Sequence, residues 1–122
     1  MLFGYKINNY TYKIYKGWIM PQYKVEFDKI KTVEPMQGIH CQIYKNDKRQ
    51  LRLVTYTKEM PPHWCNKDHY GYILDGEMEI EFLNQKIIFK KGDGVFIQNG
   101  DEHRHKAKVV SEPVRVIFVE DV

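Results

Sequence analysis

Two short stretches of the sequence concentrate side chains able to hold a metal ion: His63-Trp64-Cys65-Asn66-Lys67-Asp68-His69, and Asp101-Glu102-His103. Neutral imidazole and thiolate are natural donors for divalent zinc, iron, nickel and copper. His63, His69 and His103 therefore form a candidate three-histidine set, with Cys65 as a fourth donor. Three imidazoles leave positions open for substrate or dioxygen, as catalysis requires, whereas an added thiolate closes the shell in the manner of a structural site. A histidine alone reads equally as a hydrogen-bonded structural residue, and Cys65 alone as a small buried hydrophobe. The weight rests on the clustering. His105 shares the period-two face of His103, where it orients a ligand, touches substrate or is simply hydrogen-bonded in the interior. Gly71 lies two residues beyond His69 on the same face and would leave space for a pocket. Trp64 and Tyr56 are candidate pocket walls, with core filling as their other reading. His40, beside Cys41, has no second cluster to join.

These donors need short strands to carry them. Apolar runs at 39–44, 51–57, 72–74, 77–82, 86–89, 95–98, 103–107 and 114–119 are separated by turn residues such as Asp75-Gly76, Gly92-Asp93-Gly94 and Asn99-Gly100-Asp101. That spacing predicts an all-β antiparallel sandwich or barrel with hairpin-length loops. At 77–82 glutamates alternate with Met78, Ile80 and Phe82, so one face is core and the other meets water. No helical period appears, although 25–33 could support one short turn. The first 20 residues are rich in tyrosine (Tyr5, Tyr10, Tyr12, Tyr15), and the alternation from Tyr10 to Ile14 fits an edge strand. The expected organisation is an N-terminal extension or edge strand over 1–22 and one barrel domain over 23–122. The extension reads either as a dispensable tail or as a strand that pairs across a dimer.

A chain of 122 residues suits one hydrophobic core and hence one site. Its 43% hydrophobic and 29% charged content permits a packed interior. The net charge of +3 comes from scattered lysines and arginines, so no nucleic-acid partner is expected. No run approaches the roughly 20 apolar residues of a membrane span. Lys6, Asn8, Asn9, Lys13 and Lys16 interrupt the start of the chain, which reads as neither anchor nor secretory signal. Cys41 and Cys65 could pair, yet a cytoplasmic protein with both kept as thiols is the expectation.

The framing of the two clusters resembles the cupin family. Its first motif, G-x5-H-x-H-x3,4-E-x6-G, falls without gaps on His63, on Cys65 in place of the second histidine, on His69 in place of the glutamate, and on Gly76, with Thr57 at the opening glycine. The second, G-x5-P-x-G-x2-H-x3-N, falls on Gly92, Gly100 and His103, with Gln98 for the proline and Ala107 for the asparagine. The motifs cover 57–107, and the 77–91 spacing between them is similar to that of small microbial cupins. The resemblance implies a single-domain jelly-roll-like barrel or sandwich, one divalent transition metal ion (Zn, Fe, Ni or Cu), a small-molecule ligand inside the barrel, and a homodimer. The departures keep donor capacity and make the set softer, which argues against Mn and Mg.

The resemblance implies, as functions, a metal-dependent enzyme of dioxygenase, isomerase, decarboxylase or lyase type acting on a small molecule. Fold alone does not choose among them. A non-catalytic metal or small-molecule binding module is the alternative, and a metal-free structural barrel the third reading.

Overall fold

Alternation of buried and exposed side chains governs every long strand, and it decides which residues face the interior. The computed structural model describes residues 23–122 in full and, of the first 22 residues, the backbone of three strands only. Those strands, β1 (Phe3–Ile7), β2 (Tyr10–Tyr15) and β3 (Trp18–Pro21), form an antiparallel three-stranded sheet in the order β1-β2-β3. The side chains of the N-terminal tyrosines lie outside the described residues, as do both ends of the expected 1–22 segment.

The second sheet comprises β4 (Val33–Met36), β5 (Ile39–Lys45), β6 (Arg49–Tyr56), β7 (Trp64–Cys65), β8 (His69–Glu81), β9 (Lys86–Lys90), β10 (Gly94–Ile97) and β11 (His105–Asp121). Its main path runs β10-β8-β11-β6-β5-β4, with β7 pairing β11 and β9 pairing β8, all antiparallel. Single 3-10 turns occur at Phe27–Lys29, within the span expected to support one short turn, and at Asp101–His103.

Two pairs of expected strands are each fused into one. β8 runs through Asp75-Gly76, and β11 runs from His105 to Asp121 with register shifts between Val109 and Val116. Gly76 has φ +78°, and a Cβ there would lie 2.3 Å from the Pro113 carbonyl oxygen. The turn residues therefore mark a shared bend, with Gly76 of β8 packed against the irregular stretch of β11, and not the end of a strand. Beyond the bend β8 exchanges β10 for β9 as its second partner. The sheet folds over itself into an open sandwich, and one core cluster includes Ile73, Val95 and Val116 from one half with Met78, Ile80 and Val109 from the other. Gly76→Ala is expected to destabilise the fold by at least about 1–3 kcal/mol from the left-handed backbone alone. A lowered urea midpoint measures it, and an unchanged midpoint would contradict the bend as described.

Candidate functional site

Register brings the donors together. His105, the first residue of β11, pairs directly with Cys65 of β7, and His69 opens β8. Cys65, His69 and His105 each offer a ligand atom within 4.8 Å of the others. The imidazoles meet edge to face with centroids 4.9 Å apart, and Phe118 backs His69 at 5.0 Å.

Hydrogen bonds fix which ring nitrogens face inward. His69 donates from Nδ1 to Glu120 Oε2 in a short contact, and its Nε2 lies 3.9 Å from Cys65 Sγ. His105 donates from Nδ1 to the His103 carbonyl at 3.1 Å, while its Nε2 is buried with no hydrogen-bond partner among the described residues. A buried polar atom without a partner carries a desolvation cost of about 1–3 kcal/mol. An ion bound there would remove that cost, so the residues fit a metal.

Glu120 is the hub behind the donors. It is 4% exposed and accepts from Gln50 Nε2 at 2.9 Å, from Arg52 Nε at 2.5 Å and Nη2 at 2.7 Å, and from His69. Pairing of Glu120 with Gln50 across β11 and β6 sets this up, because Arg52 then lies two residues along the same inward face. Burial alone would raise the Glu120 carboxyl, but His69 and Arg52 outweigh it and hold it at about 2. The imidazoles of His105 and His69 bring the Cys65 thiol down to about 5 against opposing burial, so it is a thiolate at neutral pH. Burial works to lower His69, yet Cys65 and Glu120 prevail and raise it. Before a metal binds, these two neighbours favour the charged form of His69 over the neutral one.

The group opens into a cavity of about 390 Å³ whose walls include Cys65, His69, His105, Arg52, Tyr56 and Glu120. His63 also lines it, with Nδ1 3.2 Å from the Pro61 carbonyl, but it is not part of the three-donor group. His103 lies elsewhere, in a pocket lined by Phe82, Phe89 and Phe96, with Nε2 3.8 Å from Glu102. The 3-10 turn Asp101–His103 ends before β11 begins, so the strand parity that put His105 on the face of His103 does not run through it.

Of the expected pocket residues, Tyr56 and His105 line the cavity. Trp64 is 47% exposed on the outer side, flanked by Lys106 at 4.9 Å and Arg104 at 5.7 Å from its ring. Gly71 does not leave room beside the donors: a Cβ there would lie 1.9 Å from the Ile117 carbonyl oxygen. Its lack of a side chain serves the close approach of β8 and β11. Glu120, Arg52 and Gln50 were not anticipated. The available signal was period two: Val114, Val116 and Phe118 lead inward to Glu120, and Tyr56 and Val54 lead to Arg52.

Residues 52–120, more than half of the chain, match the family model for the cupin domain. No curated protein matches the chain by sequence. Solved structures of similar fold include the polyketide cyclase RemF from Streptomyces resistomycificus, with 18% identity, TM-score 0.64, and 82% of this chain and 79% of that one covered. An RmlC-like cupin from Shewanella frigidimarina NCIMB 400 aligns at 14% identity and TM-score 0.65, over 82% and 90% of the two chains. KdgF from Halomonas sp. aligns at 22% identity and TM-score 0.60, over 77% and 89%.

Proposed function

The chain belongs to the cupin domain family, and from that premise we propose that it is a metal-dependent enzyme acting on a small molecule in the cavity. The ion is a single divalent transition metal, Zn, Fe, Ni or Cu, held by Cys65, His69 and His105, with His63 on the wall beside them. The observation that carries this reading is the unpartnered Nε2 of buried His105, beside a thiolate and a second imidazole. One thiolate and two imidazoles suit those metals better than Mg or Mn.

A divalent ion there would supply Lewis acidity or oxygen activation to a coordinated ligand. The chain's own residues do the rest. Glu120 holds His69 in the tautomer that presents Nε2, the positioning that partners of metal-bound histidines commonly provide. Arg52 balances the Glu120 charge inside the sandwich. The Tyr56 hydroxyl, which burial pushes up to about 12, stays protonated and can donate to a ligand oxygen. Three protein donors leave positions open for substrate, the arrangement of a catalytic site.

Dioxygenase, isomerase, decarboxylase and lyase reactions fit such a site, and the polyketide cyclase among the structural relatives adds cyclisation. Both cysteines are free, in keeping with a reducing, cytoplasmic setting. Short edge strands at β4 and β10 leave sheet edges for a homodimer. No helix among the described residues is long and apolar enough to cross a membrane.

The test is elemental analysis of the purified protein, followed by oxygen uptake and turnover of the loaded form against thiols, β-diketones, phenols and sugar acids. Stoichiometric metal with turnover supports the enzyme. Metal with saturable binding and no turnover would replace it with a binding module, and no metal after reconstitution would end both.

A further inference from the structure

Arg52 is a permanent cation lining the cavity, and Glu120 engages only part of it. The guanidinium carries five N–H donors. One from Nε and one from Nη2 go to the two Glu120 oxygens, and Phe118 lies 5.6 Å from its carbon. The Tyr56 hydroxyl neighbours it on the same inward face of β6, and both residues line the cavity. Glu120 is occupied by Gln50, Arg52 and His69, so it offers little to an incoming hydrogen-bond donor.

Asp68, buried at 6% exposure, and the exposed Asp121 also line the cavity beside Lys67, with the Asp68 carboxylate accepting the Asp121 N–H at 3.2 Å. These carboxylates oppose phosphates and other multiply charged anions more strongly than a monoanion. Ile39, Met60 and Ala107 supply apolar wall for a short hydrocarbon part.

We propose that Arg52 and Tyr56 form a carboxylate-recognition subsite, so that the ligand is a small monocarboxylic acid with a second oxygen function directed to the donor group. This rests on the metal reading above. The guanidinium edge and the phenol hold the carboxylate, and Cys65, His69 and His105 present the ion to the hydroxyl or carbonyl beside it.

The experiment is calorimetric titration of zinc-loaded protein with lactate and with lactamide, after the metal content of each sample is measured. Wild type is expected to bind lactate and to prefer it over the amide by at least about tenfold, the scale of one charge-assisted hydrogen bond. Arg52→Lys, which keeps the charge and loses the fork, should lose most of that preference at unchanged metal content. Because Arg52→Lys also alters the Glu120 contact, Tyr56→Phe, which keeps the Arg52–Glu120 pair and removes only the phenol donor, is the second variant and should weaken lactate binding at unchanged metal content. Thermal unfolding confirms that each variant is folded. Inorganic phosphate at matched ionic strength should not displace lactate. Equal affinities for acid and amide in loaded wild type, or a preference untouched in both variants, would overturn the subsite while leaving the metal reading standing. Absence of metal from wild type would sink the metal reading itself.

Discussion

Replacing His105 with alanine is expected to lower metal affinity on the order of 100-fold or more, since even the partners behind metal-bound histidines are commonly worth about 10–100-fold. The effect follows from geometry. His105 is 4% exposed, its Nδ1 is held by the His103 carbonyl, and its Nε2 has no other partner among the described residues. Cys65→Ser and His69→Ala should fall in the same range. His103→Ala should not, because His103 lines a different pocket against Phe82 and Phe96. Competition with a chromophoric chelator measures all four. Loss of metal in His103→Ala with retention in His105→Ala would reverse the assignment and return the site to the family's motif position.

Glu120→Gln has the second large effect, and it falls on stability as well as on metal binding. The substitution leaves the Arg52 cation, whose side chain is 14% exposed, without its carboxylate. Breaking one side of a buried pair costs about 3–5 kcal/mol. The pH dependence carries a sign. The Glu120 carboxyl is depressed from 4.5 to about 2 in the fold. Its stabilisation is therefore present in full above pH 4.5 and is lost as pH falls toward 2. Chemical unfolding across that window should show wild type weakening as acid is added, with a flatter profile for Glu120→Gln. Parallel profiles would mean that Glu120 gains nothing from its three donors.

The local parts of this site were legible because they sit close together in the chain. His63, Cys65 and His69 fall within seven residues, and their spacing alone marks a donor cluster. The alternation at 77–82 likewise gave the core face of the second half of β8, and the turn-rich spacing gave an all-β fold. What local reading could not supply is register. Glu120 meets His69 across 51 positions, and Arg52 across 68, only because β11 lies between β8 and β6. An acid ending an inward-facing run of Val114, Val116 and Phe118 was the trace of it in the sequence.

The motif put His103 among the ligands, and strand parity put His105 on the same face, counted across the junction of a 3-10 turn and a strand. Periodicity changes at that junction, so parity counted along the chain does not carry through it. Gly71 and Gly76 were read by the same local logic, as space and as a turn. Both instead answer to β11: Gly71 to the Ile117 carbonyl and Gly76 to that of Pro113. A strand that packs from forty residues away leaves no mark on its neighbour beyond the absence of a side chain.

X-ray absorption at the zinc edge of the loaded protein tests the central claim most directly. The Cys65, His69 and His105 site predicts one sulfur scatterer at about 2.3 Å and at least two imidazole nitrogens at about 2.0–2.1 Å, with the sulfur lost in Cys65→Ser. A wild-type shell of nitrogen and oxygen alone, unchanged in Cys65→Ser, would contradict it.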